Sequence, residues 1–295
     1  MTDLFPPFAP DPEEARRRRF TPIPLRVLVP NVITLLALCL GLTAIRLAIE
    51  ERLELAMIAI VIAAILDGID GRVARLLKGT SRFGAELDSL SDFVNFGVAP
   101  ALILYSFVLH ELRSIGWIAA LVFAIAAALR LARFNVMIDD PARPEWQKNY
   151  FVGMAAPAGA ICALLPIYLH MLGLPVDGIA APFVAAYLVG IAFLMVSRIP
   201  TYAGKTLGSR VPREKVLPLF AIVVLFAALL VSFTFQVLAI GVIVYLALIP
   251  VGVMRYRRMA RAEARAAAGA KGGEGTAAVP AESTGEAPGG GPTGA

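Results

Sequence analysis

Stretches of about twenty apolar residues, with few charges inside them, follow one another along most of this chain. They fall at about residues 30–49, 54–77, 84–109, 115–137, 151–173, 179–197, 216–234 and 237–254. A hydrocarbon core roughly 30 Å thick takes about 20 helical residues to cross. No water reaches the backbone at that depth, so a spanning segment of this kind is a helix. The chain is 58% hydrophobic and 17% charged, with a mean hydropathy of +0.75, which excludes an ordinary soluble domain. The expectation is an all-α polytopic membrane protein with about eight transmembrane helices.

Between the second and third stretches the pattern breaks. Asp67, Asp70, Asp88 and Asp92 stand among apolar residues, and a carboxylate at membrane depth is costly enough to be read as functional. Asp67 and Asp70 are three apart and Asp88 and Asp92 four apart, so each pair shares a helix face. Two such helices packed antiparallel bring four carboxylates toward one point. Oxygen-only ligands suit hard divalent ions such as Mg²⁺, Mn²⁺ or Ca²⁺, not zinc. Gly71 and Ala74 share the face of the first pair and leave a clearing there, and Arg75 adds a guanidinium suited to phosphate oxygens. Together these residues point to phosphoryl chemistry on a nucleotide. The bland alternative, four solvated aspartates on a hairpin, conflicts with the apolar runs at 56–66 and 93–109 that flank them.

The pattern D-x-x-D-G-x-x-A-R-x8-G-x3-D-x3-D, from Asp67 through Gly84 to Asp92, fixes eight residues over 26 positions. It resembles the signature of the CDP-alcohol phosphatidyltransferases, which displace CMP from CDP-diacylglycerol with an alcohol. The resemblance implies that Asp67, Asp70, Asp88 and Asp92 hold one or two Mg²⁺ or Mn²⁺ ions, and that Asp92 is the general base. It also implies that Asn31 and Thr34, in the stretch Pro30-Asn31-Val32-Ile33-Thr34, contact CDP-diacylglycerol. Asp67, Gly71, Ala74, Arg75, Thr80 and Ser81 complete the expected binding set. Asn and Thr at a helix start more often serve as caps, so the Pro30–Thr34 match carries weight only beside the aspartates.

Sidedness follows from the basic residues. With eight spans both termini share one side, and only Arg46, Arg52 and Arg113 of the 27 lysines and arginines fall opposite. The active site, between helices 2 and 3, is therefore expected at the cytoplasmic side, as for a multi-pass protein of a bacterial inner membrane. Residues 1–29 include four consecutive arginines at 16–19 and read as a basic leader, either disordered or an interfacial helix anchored by Phe20 and Leu25. Residues 30–255 form the expected transmembrane domain. Residues 256–295 are basic, then Ala-, Gly- and Pro-rich, and read as a tail. The net charge of +5 fits an anionic lipid surface, and nothing points to nucleic acid. Cys39 and Cys162 read as packing residues, and His110 and His170 as membrane-interface residues.

Four further stretches, at 92–100, 129–135, 151–157 and 194–200, are similar to the bacterial branch of the family that uses L-serine as acceptor. With the core signature, the resemblance covers roughly residues 28–255. Serine brings a carboxylate and an ammonium with its hydroxyl. Arg130 and Arg133, three apart near the cytoplasmic end of the fourth helix, can face the cavity and hold that carboxylate. Asn135 is placed for the amine, and Arg198 is a further candidate. Basic residues gripping lipid headgroups account for these arginines almost as well, and glycerol 3-phosphate, inositol phosphate or choline stay open as acceptors. Relatives imply a homodimer. A cation-coupled transporter is the alternative from another class, since intramembrane acids serve ion coupling too.

Overall fold

A computed structural model describes residues 25–138, 150–197, 200–202 and 213–274. The leader before Leu25, Arg198 and the tail beyond residue 274 lie outside the described residues. Among those described, eight helices follow the eight apolar stretches. They are α1 (Leu25–Ile49), α2 (Leu53–Leu76), α3 (Arg82–Phe107), α4 (Ser114–Ile138), α5 (Ala156–Met171), α6 (Ala181–Val196), α7 (Arg213–Ser232) and α8 (Thr234–Glu274). Among the described residues four regions are long and apolar enough to cross a membrane: α1, α3, Ser114–Val136 of α4 and Thr234–Met254 of α8. α2 is as long but carries Asp67 and Asp70, and α5, α6 and the apolar part of α7 are shorter. The architecture is that of a helical membrane protein. The chain divides into two units, residues 1–249 and 250–295, and the site described below belongs to the first.

Small residues bring α1 and α2 together. α1 buries Pro30, Thr34, Ala37, Gly41, Ala44 and Ala48, a stripe at intervals of three or four. α2 buries Ala56, Met57, Ala59, Ile60 and Ala63. In lipid no hydrophobic force drives helices together, so small side chains that let backbones approach closely supply the packing energy. α1 also packs against α3, whereas α2 and α3 touch little beyond a region near Val94–Val98. That gap between α2 and α3, bridged by α1, is where the site lies.

Several local features differ from the sequence expectation. α1 already runs as helix from Leu25, with Pro30 inside it. α3 is not one regular helix. It is α-helical over Arg82–Phe93, π-helical over Val94–Val98 and α-helical again over Ala99–Phe107. α5 breaks at Leu164 into Ala156–Ala163 and Leu165–Met171. Pro166 has no N–H for the Cys162 carbonyl four residues back, and the Tyr187 hydroxyl donates to that carbonyl at 2.7 Å instead. The all-α expectation also needs one amendment. β1 (Tyr150–Val152) pairs antiparallel with β2 (Pro200–Tyr202), with Tyr150 opposite Tyr202 and Val152 opposite Pro200. The span expected from residue 151 therefore starts as strand and becomes helix only at Ala156. An apolar run alone does not distinguish a buried strand from a helix end.

Candidate active site

The connection from α2 to α3 is short and pinned. Lys78 takes a left-handed turn at φ 50°. Ser81 caps α3, its Oγ accepting the Gly84 N–H at 3.0 Å, which satisfies one donor at the helix start. Pro30 cannot donate to the Arg26 carbonyl, and Gly79 packs on that same carbonyl so closely that a Cβ would collide with it. The turn is thereby held against the start of α1, with the carboxylates of α2 facing those of α3.

Asp67, Asp88 and Asp92 each offer one carboxylate oxygen, and these oxygens lie within 4.8 Å of one another. All three residues are half-buried. One oxygen of Asp92, Oδ1, is buried with no hydrogen-bond partner. Three carboxylates this close repel unless a proton or cation lies among them. An all-oxygen donor set with an orphaned buried oxygen fits a hard divalent cation. Asp70 stands outside this trio. It is 3% exposed, and its Oδ2 accepts from the Thr34 Oγ1 of α1 at 2.6 Å. The four carboxylates thus divide into three and one, because a hydroxyl on α1 claims the fourth.

Beside the trio lies a cavity of about 240 Å³. Pro30, Asn31 and Thr34 of α1, Asp70, Gly71, Ala74 and Arg75 of α2, Gly79, Thr80 and Ser81 of the turn, and Gly84, Ala85 and Asp88 of α3 line it. Every residue expected to bind the nucleotide-lipid lines this cavity except Asp67, which sits in the trio. Asp88 belongs to both. The clearing at Gly71 is real, since a Cβ built there meets no protein atom within 4 Å. Gly71→Ala is therefore expected to leave the fold intact, and even to favour the helix by about 0.5–1 kcal/mol. A methyl in the cavity would raise the KM for a cavity-bound substrate several-fold. Thermal unfolding in detergent beside steady-state kinetics separates the two effects.

A family profile described as CDP-alcohol phosphatidyltransferase matches residues 27–196, more than half of the chain, and so spans α1, the trio and the cavity. This chain belongs to the CDP-alcohol phosphatidyltransferase family. A second profile, described as CDP-alcohol phosphatidyltransferase 2, matches residues 214–250. The chain is 39% identical over 233 residues to the CDP-diacylglycerol–serine O-phosphatidyltransferase of Mycobacterium leprae, covering 79% of this chain and 77% of that protein. It is 40% identical over 234 residues to the protein of the same name from Mycobacterium tuberculosis, covering 79% and 81%. The Bacillus subtilis protein of that name is 34% identical over 171 residues, 58% of this chain and 88% of the relative.

In this CDP-alcohol phosphatidyltransferase three of the residues expected to hold the acceptor, Arg130, Arg133 and Asn135, already have partners. Arg130 lies over the Phe134 ring, 5.5 Å from its centroid, near enough to Asp92 for their charges to attract. Arg133 donates from Nη1 to the Val196 carbonyl at 2.8 Å, tying α4 to the end of α6. Asn135 donates from Nδ2 to the Ser89 hydroxyl of α3 at 3.0 Å. Arg133→Met removes a charged donor from that carbonyl and is expected to cost about 1.5–3 kcal/mol of stability, measured as a lowered Tm in detergent. Sequence reasoning passed over Ser89, Ser91 and Asn95. The available signal was the four-residue interval from Ser91 to Asn95, which puts both on one face of α3.

Proposed function

We propose that this protein transfers the phosphatidyl group of CDP-diacylglycerol to the hydroxyl of L-serine, giving phosphatidylserine and CMP. The observation that carries the reading is the trio of carboxylates from α2 and α3, set beside a cavity that the family's own signature residues line. Relatives named for the serine-dependent reaction support the acceptor. Family membership also speaks against the transporter alternative.

Asp67, Asp88 and Asp92, with Asp70 beside them, would hold Mg²⁺ or Mn²⁺. Such an ion, when bound, neutralises pyrophosphate charge and stabilises the leaving CMP. The chain's own residues do the rest. Gly71 and Ala74 leave a flat bed for the cytidine, and Arg75, Thr80 and Ser81 reach toward the nucleotide. Asn31 and Thr34 bound the lipid side. Arg130 turns the serine carboxylate toward the trio, with Arg133, Asn135 and Arg198 as further candidates around it. Asp92 takes the proton from the serine hydroxyl as that oxygen attacks the lipid-side phosphorus. The phosphorus–oxygen bond to CMP breaks, and CMP leaves with the pair of electrons. The distribution of basic residues supports eight spans and a site facing the cytoplasm of a bacterial cell.

The test is CMP release by the purified protein from CDP-diacylglycerol with Mn²⁺ across a panel of alcohols. Release that depends on L-serine is expected. Release with glycerol 3-phosphate or inositol phosphate, and none with serine, would overturn the acceptor assignment.

A further inference from the structure

A line of buried polar groups leads from the π-helical turn of α3 through α1 to Asp70. Asn95 donates from Nδ2 to the Ser91 Oγ at 3.2 Å. The Ser91 hydroxyl donates to the Thr34 carbonyl of α1 at 3.3 Å, and the Thr34 hydroxyl lies 2.6 Å from Asp70 Oδ2. That hydroxyl is also 3.1 Å from the Pro30 carbonyl. It has one proton, and the shorter contact to a carboxylate is the stronger claim on it. Ser91 is 2% and Asn95 0% exposed. Buried polar side chains in a lipid-embedded bundle are costly unless paired, yet Asn95 Oδ1 has no hydrogen-bond partner. It rests instead against Gly41 of α1, where a Cβ would overlap the carboxamide. The π turn begins two residues after Asp92 and contains Asn95; such turns are frequent at functional sites.

We propose that Ser91 and Asn95 are positioning residues for Asp70, acting through Thr34, with Gly41 as the clearance that lets α3 reach α1. The two helices need no polar side chains to pack here, since alanine and glycine already line the α1 face. What the polar line adds is a fixed register of α1. The Thr34 hydroxyl then holds one oxygen of Asp70 and leaves the other for the cavity, one helical turn from the trio. This inference rests on the divalent-ion reading of the carboxylates given above.

The test is a Mn²⁺ titration of the purified full-length protein without substrate, read by the electron paramagnetic resonance of free Mn²⁺, with CMP release measured in parallel. Ser91→Thr and Ser91→Val add the same bulk and differ in the hydroxyl. Ser91→Val is expected to weaken Mn²⁺ binding about tenfold, as loss of a group supporting a ligand does, while Ser91→Thr stays within about threefold of wild type. On an Asp70→Asn background, Ser91→Val is expected to add nothing, since both changes break one line. Asn95→Leu provides the same comparison where Ser91→Val is not recovered folded. Wild-type Mn²⁺ binding by Ser91→Val would overturn the proposal, as would an equal loss with and without Asp70. Should the wild type bind Mn²⁺ but release no CMP, the transfer reading falls and the Mn²⁺ comparison still decides this one.

Discussion

Asp88→Ala is expected to abolish Mn²⁺ binding and to lower CMP release by roughly 10²–10³-fold, the value of several kcal/mol of metal-supplied transition-state stabilisation. Asp88 is singled out because it alone belongs to both the trio and the cavity wall. Its loss therefore removes a ligand and the link between the ion and the nucleotide pocket. The fold should survive, because Asp88 is half-buried and its departure relieves repulsion from Asp67 and Asp92. An unchanged Tm beside lost Mn²⁺ binding is the expected pair of results. Wild-type Mn²⁺ affinity in Asp88→Ala would show that the trio is not the metal site.

Asp92→Asn is expected to act differently. Asparagine keeps an oxygen ligand of the same reach but takes up no proton from serine. kcat should fall roughly 10²–10⁴-fold, the range for losing a general base, with the KM for serine little changed. Mn²⁺ binding should weaken by about tenfold or less, because two full carboxylates and the amide oxygen remain. The split between a large kcat effect and a small affinity effect separates Asp92 from Asp88. A variant with near-wild-type kcat would remove Asp92 from the role of base.

The parts of this account that were legible in the sequence are those set by short-range spacing. Among the described residues helix follows each apolar stretch, four of the regions being long and apolar enough to cross a membrane. The interval of four put Asp88 and Asp92 on one face of α3, where Asp67 of α2 joins them. Residues from α1, such as Asn31 and Thr34, came from the family signature; no spacing rule connects them to Gly71 or Asp88. What was not legible depends on contacts between distant segments. Asp70 looks like its neighbours in sequence, and only the packing of α1 shows that Thr34 sets it apart. The π turn at Val94–Val98 has no marker in composition, because it reflects the fit of Asn95 and Gly97 against neighbouring helices. The strand pair formed by residues 150–152 and 200–202 joins segments fifty residues apart, beyond the range of any local pattern. Arg133 shows the same limit, since its bond to a backbone carbonyl on α6 has no marker in the sequence.

The proposed transfer of a phosphatidyl group to serine at this carboxylate site can be followed by lipid-extractable incorporation of radiolabelled L-serine in proteoliposomes containing CDP-diacylglycerol. Labelled phosphatidylserine is expected in amounts equal to CMP released, abolished by chelator and restored by Mn²⁺ or Mg²⁺. Incorporation that persists under complete chelation would contradict the proposal, as would metal-dependent CMP release with no label in lipid.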